Sequence, residues 1–400
     1  MAAPDLPPTG TPAPAGTPSL ARVVALYHRA LNAAYHGSSL HFRGFVEGLR
    51  RVVPVEVVAP GEHATVGTDR ARESSGPLLV GFRYLLAAVA EELRFIVRDA
   101  RSPRAQRARV IVPVDVYVAG LAAVWSWIRQ VPLVYYPLDA NTAVSRHWRK
   151  AGYRGGILFG LTRRPLNALG LRIARIVIAP SEEVARSLRE GGVPAEKLRV
   201  CTLKRTRPVP DPVAIARWRA ELGLAGRVPA VFVGSFQYAP NVRAFHFLRD
   251  ELAPALGRSD PDLLILVGGL DSEPYVPQSG ANLRVLGTVS DLDGLLFACE
   301  IGLAPMDVAG GTSGKMVDYV LHGLRVLATP EAAAGIDAAA SVQVAPCSEF
   351  ADRLKALCAE VRASRGPALP PRPDPEFVRR YTESADLDRV AQEIASLARS

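Results

Sequence analysis

The hydrophobic positions of this 400-residue chain fall into short runs that are apolar throughout, separated by stretches whose apolar residues recur three and four apart. Continuous runs suit strands covered on both faces, and the three-to-four spacing suits helices with one buried face. In the first half the strand-like runs are RVVALYH (22–28), VEVVAP (55–60), DVYVAG (115–120), PLVYYPLD (132–139), RIVIAP (175–180) and KLRVCTL (197–203). Helical patterns lie between them at 40–51, 121–130 and 181–192. The last has Ser181 as cap, Glu182 and Glu183 in the first turn and Gly191–Gly192 as a stop, a complete set of helix boundary signals. Strands alternating with helices predict βαβ units and parallel sheets.

The pattern occurs twice. After Leu203, Pro208, Pro210 and Pro212 interrupt the chain and are expected to break any regular element there. Strands then resume at 230–236, 263–269, 283–289, 301–306, 325–330 and 341–346, with helices after YAPN (238–241), at 291–299 and from 314. The fold class this implies is α/β, two tandem Rossmann-like doubly wound domains facing a cleft. The expected boundaries are an unstructured tail at 1–19, a first domain at 20–205, a linker at 206–228, a second domain at 229–375 and a final helix, 376–400, that crosses back to the first domain. Ligands of such sheets bind at the carboxyl ends of the strands.

Composition narrows this picture. At 48% hydrophobic residues the chain has ample material for two cores, while the Pro-, Ala-, Gly- and Thr-rich residues 1–19 do not. Neither a secretory signal nor an apolar run of about 18 residues is present, so a cytoplasmic protein is expected. The four cysteines stand at no metal-binding spacing, and no metal is expected. Residues 1–205 carry 29 basic against 15 acidic side chains, and residues 206–400 carry 19 against 24. The first half alone is cationic.

The stretch richest in chemistry is GGTSGKMVDYVLHGLRVLAT, 310–329. Its glycines, hydroxyls and lysine at a helix start resemble a phosphate seat, built from backbone N–H groups and the positive end of the helix. A nucleoside-triphosphatase P-loop would require glycine at position 309 and a hydroxyl residue at 316 to hold magnesium. The chain has Ala309 and Met316, which removes that reading and leaves anion binding.

The segment 282–337, together with VFVGSFQYAPNVRAFHFLRDELAPAL at 231–256, resembles the sugar-nucleotide half of GT-B glycosyltransferases of the family-4 type (glycosyl transferases group 1). The resemblance runs from about 175 to 335. The loop and helix at 310–329 are also similar to those of xanthan-type bacterial glucuronosyltransferases. The resemblance implies a GT-B fold and transfer of a sugar from a UDP- or GDP-linked donor to a hydroxyl of a glycan or lipid-linked acceptor, in polysaccharide or glycolipid biosynthesis.

Carried over residue by residue, Lys315 would meet the donor diphosphate and Asp318 the ribose hydroxyls, with Gly310, Gly311, Thr312, Ser313 and Gly314 forming the loop. Ser235 and Tyr238 would line the nucleotide, and Phe236, Tyr238, Pro240 and Asn241 either stack on the base or shape a turn. In the first domain, Gly37 and Ser38 either supply backbone donors to phosphate or simply begin a helix. Two features depart from the family pattern. Of two glutamates seven apart, the second is Asp318 and the first falls on Gly311, and the basic pair after the domain-opening strand is replaced by Ser235, Phe236 and Gln237.

An inverting transferase needs a base for the acceptor hydroxyl. Asp139, ending a strand run, is the expected base, with His147 as the alternative; Asp115 is read as beginning a strand, at the wrong end. Lys315 and Asp318 have a plainer reading as an i,i+3 ion pair. The basic stretches 93–109 and 146–154 suit peripheral contact with an anionic membrane or a solvated face, and no nucleic-acid motif accompanies them. Two other activities fit the same architecture: a nucleotide-sugar 2-epimerase and a non-catalytic partner subunit.

Overall fold

The structure, a computed structural model, describes residues 22–27, 37–59, 77–138, 165–236, 238–308, 312–337, 339–364, 373 and 375–400. The tail 1–19 lies outside them. The first sheet contains β1 (Val23–Tyr27), β2 (Val55–Val58), β3 (Val110–Val114), β4 (Val134–Tyr135), β5 (Ile176–Ala179) and β6 (Leu198–Val200). All pairings are parallel, in the orders β2-β1-β3 and β4-β5-β6. Isolated bridges at Ile111–Leu133 and Val114–Tyr136 join the two halves. Pro113 explains why this seam is thin. Its carbonyl accepts from Tyr136 N–H at 3.0 Å, so its nitrogen faces β4 as well, and proline has no hydrogen to donate there.

The strand expected at 115–120 is not one. The strand is VIVPV, all five residues buried, followed by a short 3₁₀ turn at Val116–Val118 and a helix, Ala119–Arg129. A proline inside an apolar run argues against a strand, but burial on both faces outweighs the single lost hydrogen bond. The consequence is positional: Asp115 ends β3 and stands at the carboxyl end of the sheet, not at its beginning.

Residues alternate between two cores. Val23, Ala25 and Tyr27 of β1 face one side and Val24 and Leu26 the other. Helix α1 (Gly37–Arg50) covers the first side through Phe42, Phe45 and Leu49. Helices α2 (Pro77–Arg101), α3 (Ala119–Arg129) and α4 (Glu182–Glu190) cover the second. Ser181 caps α4 by accepting from Val184 N–H at 3.2 Å, as its sequence indicates.

The linker is more regular than its prolines suggest. It contains helix α5 (Pro212–Glu221), which starts with Pro212 and is capped by Asp211 accepting from Val213 N–H at 2.9 Å. Proline is well suited to the first helical position, where its missing N–H would have had no partner.

The second sheet is built from β7 (Val228–Val233), β8 (Leu263–Gly268), β9 (Leu283–Val285), β10 (Ile301–Ala304), β11 (Arg325–Ala328) and β12 (Val342–Val344). Its order is β12-β11-β10-β7-β8-β9. The order reverses between β7 and β10, so a crevice is expected at their carboxyl ends. Helices α6 (Ala239–Phe247), α7 (Leu292–Ala298), α8 (Gly314–Leu321) and α9 (Phe350–Ser364) pack around it. The chain finally crosses back. Helix α10 (Pro375–Thr382) sends Phe377 and Tyr381 into the second core, and α11 (Ala385–Arg399) sends Leu387, Val390 and Ile394 into the first. Among the described residues no helix is long and apolar enough to cross a membrane.

Candidate functional site

The crevice at the reversal of the second sheet is held open by one side chain. β7 and β10 pair only at Ala230–Ile301 and Val231–Gly302. Beyond that, Tyr319 of α8 stands between them: its hydroxyl accepts from Val233 N–H at 2.9 Å and donates to Leu303 O at 3.3 Å. A Cβ on Gly302 would lie 2.5 Å from the Tyr319 ring, so glycine at 302 makes room for the wedge. Full burial raises the Tyr319 phenol and keeps it a neutral donor.

Lys315, one turn before Tyr319 on α8, enters the same crevice. Its ammonium donates to Asn241 Oδ1 at 2.7 Å, touches Met306 Sδ at 3.5 Å and sits 4.1 Å over the Phe232 ring. The residue as a whole is half-buried, its ammonium is packed against these three groups, and burial lowers its pKa to about 7. Asn241 completes the arrangement by donating from Nδ2 to Ser235 O at 2.8 Å. Gly234 leaves room for it, since a Cβ there would lie 2.6 Å from Asn241 Nδ2. Gly269, at φ 138°, would place a Cβ 2.1 Å from Gly234 O, a position only glycine fills.

The other exposed face of α8 looks toward the first domain. Asp318 accepts from Arg205 Nε at 2.6 Å and lies 3.4 Å from its Nη2. At the start of α8, Ser313 makes no side-chain capping bond, and Thr312 Oγ1 lies 3.1 Å from Pro180 O in the first domain and 3.0 Å from Gly335 O in the second. Thr312 thus touches both domains beside the start of α8.

Several expected site residues converge here and others do not. Lys315, Thr312, Ser313, Gly314, Asp318 and Ser235 surround the start of α8. The i,i+3 pair between Lys315 and Asp318 is not formed, because each side chain has a different partner. Tyr238 begins α6, its carbonyl accepting from Asn241 N–H at 2.8 Å, with its ring packed on the second core. Phe236 is buried, with ring centroids 4.9 Å from Tyr275 and 5.6 Å from Phe245, so it shapes the turn. Gly37 and Ser38 form the first turn of α1. Gly310, Gly311, Asp139 and His147 lie outside the described residues.

Two residues of interest were not expected. Arg205 stands just ahead of the proline-rich linker, with no local pattern to mark it. Asp115 was assigned to the wrong end of a strand; it has φ 77° and ψ 158°, accepts from its own neighbour Val116 N–H, and donates its backbone N–H to Tyr136 O at 2.9 Å. That backbone region is essentially reserved for glycine, and a non-glycine residue there is strained.

On the outer side of the first domain, α2 and α3 expose Leu93 (48%), Val97 (47%), Trp127 (65%) and Ile128 (56%). Of these, Leu93 and Val97 line a shallow groove of about 700 Å³ together with Arg94, Arg98 and Arg101. Beneath this surface Glu92 is buried, bonded to the Ala122 backbone at the start of α3, with Oε1 unpartnered; burial raises its pKa to about 9. Among the described residues no cluster of His, Cys, Asp and Glu is placed to hold a metal.

Residues 228–360 match the family model described as Glycosyl transferases group 1. Among solved structures, the chain is similar to Anabaena Alr3699/HepE in complex with UDP-glucose, at 16% identity over 94% of this chain and 99% of that one, with a TM-score of 0.64. It is also similar to WaaG, a glycosyltransferase involved in lipopolysaccharide biosynthesis, at 15% identity over 94% and 99%, with a TM-score of 0.56. A putative UDP-N-acetylglucosamine 2-epimerase from Listeria monocytogenes gives 11% identity over 94% and 96%, with a TM-score of 0.55. No curated protein sequence matches. At these identities the solved structures speak for the shared fold, two Rossmann-like domains in the GT-B arrangement.

Proposed function

We propose, from the premise that residues 228–360 form a Glycosyl transferases group 1 domain on a GT-B frame, that this protein transfers a sugar from a UDP- or GDP-linked donor to a hydroxyl of a glycan or lipid-linked acceptor. The observation that carries the reading is the crevice between β7 and β10, inside the matched domain, with α8 starting at its mouth. The helix start and the Lys315 ammonium supply positive potential where a nucleoside diphosphate would depart, which is where such a reaction needs stabilisation. Asp318 is suited to the vicinal ribose hydroxyls because one carboxylate accepts from both.

For the acceptor hydroxyl, Asp139 is the proposed base and His147 the alternative. Movement of the two domains about the 206–228 linker would exclude water from the donor bond. The basic and apolar outer face of α2 and α3 is proposed to rest on an anionic membrane, at the cytoplasmic side, where each arginine near the surface contributes about 1 kcal/mol. Binding to anionic vesicles should weaken with salt and with Trp127→Ser; binding indifferent to both would count against this contact.

The fold likeness to a UDP-N-acetylglucosamine 2-epimerase keeps one other reading alive, an isomerase that acts on a nucleotide sugar without an acceptor. Incubation with UDP- and GDP-sugars, with and without a glycan or lipid-linked acceptor, separates them. Product formed only with acceptor supports transfer, and product formed without it supports the isomerase. No product under either condition favours a non-catalytic partner subunit.

A further inference from the structure

A departing nucleoside diphosphate concentrates negative charge, and the loop after β7, Ser235-Phe236-Gln237, brings no basic side chain to it. Lys315 has its ammonium turned onto Asn241, Met306 and Phe232. Arg205 stands against the helix start. Its backbone N–H donates to Tyr381 O of α10 at 2.8 Å, which fixes its backbone, while its side chain reaches α8. Nη2 lies 2.6 Å from the place a Cβ on Gly314 would occupy, so the guanidinium rests on the first residue of the helix. Its side chain is 14% exposed and that of Asp318 is 19%. The pairing is uneven, 2.6 Å through Nε but 3.4 Å through Nη2, which leaves part of a five-donor fork uncommitted.

We propose that Arg205 is the donor's diphosphate ligand, and that Asp318 holds it in place until the donor arrives. This rests on the donor reading above. On binding, Asp318 turns to the ribose hydroxyls and Arg205 to the diphosphate, so each charged group exchanges one charge-assisted partner for another.

Calorimetric titration with UDP, GDP, uridine and guanosine tests this. Arg205→Gln should weaken the preferred nucleotide at least tenfold while its nucleoside binds as well as before or better, because Asp318 is released. Arg205→Lys should recover part of the loss. Gly314→Ala, which crowds Nη2 at the far end of a flexible side chain, carries the same expectation if Arg205→Gln does not fold. Nucleotide and nucleoside affinities that fall together would mark a merely structural residue and overturn the proposal, as would unchanged nucleotide affinity. Wild-type protein that binds neither nucleotide would overturn the donor reading itself, and this proposal with it.

Discussion

Replacing Lys315 by methionine should make the protein more stable at pH 6, and the gain should fade as the pH rises. Lowering the ammonium from 10.5 to about 7 corresponds, at roughly 1.4 kcal/mol per pH unit, to on the order of 5 kcal/mol of burial cost. Two attractions oppose it. The Phe232 face 4.1 Å away and the Asn241 oxygen at 2.7 Å soften the burial of the charge, and a pKa of about 7 is the balance after them, so the figure stands as the net cost of the charged form relative to the neutral one. Methionine matches the lysine stem in length and suits the Met306 and Phe232 surroundings.

The sign follows from where the proton is. Above 7 the folded lysine is neutral while the unfolded one stays charged to about 10.5, so the unfolded state binds more protons and wild-type stability climbs with pH. Below 7 both are charged and the cost is complete. Urea unfolding of wild type and Lys315→Met at half-unit steps from pH 6 to pH 9 measures the difference. Curves that run parallel across this range, or a variant less stable at pH 6, would refute the reasoning. The same titration should appear in function, with wild-type affinity for the preferred nucleotide weakening as the pH rises through 7 and that of the variant staying flat.

Glu92 has the opposite sign. With its pKa raised from 4.5 to about 9, its contribution is complete below 4.5 and lost as the pH rises towards 9, so Glu92→Gln should stabilise by about 1–3 kcal/mol at pH 7 and by nothing near pH 4.5, read from urea midpoints. Tyr319→Phe leaves Val233 N–H without its 2.9 Å acceptor and should cost about 1–3 kcal/mol, with faster hydrogen exchange at Val233; unchanged exchange would show that the wedge does not hold the strands apart. Asp115→Gly should relieve the strained φ of 77° and stabilise by about 1–3 kcal/mol. A loss of transfer activity alongside that gain would assign Asp115 to the acceptor side of the cleft, and loss of stability instead would show that its side-chain bonds outweigh the strain.

Much of the architecture was legible along the chain, because a strand covered on both faces must be apolar at every position, and runs such as LLILVG and IVIA carry that requirement locally. The loop and helix at 310–329 were legible for a similar reason: glycines, a lysine and an acid at helical spacing announce themselves within one turn. Proline misled where its local cost was outweighed. VIVPV became a strand because the core on both sides repaid one missing hydrogen bond, and Pro212 opened a helix because at the first position it loses none. What Lys315 and Asp318 touch was decided only by the tertiary structure. Their partners, Asn241 and Arg205, stand 74 and 113 positions away, and spacing of 3.6 residues per turn cannot reach that far. The sequence alone determines which residues have the chemistry for phosphate. The meeting of α8 and α10 with the segment after β6 determines that an arginine just ahead of the linker lies on the helix start while the conspicuous lysine turns inward.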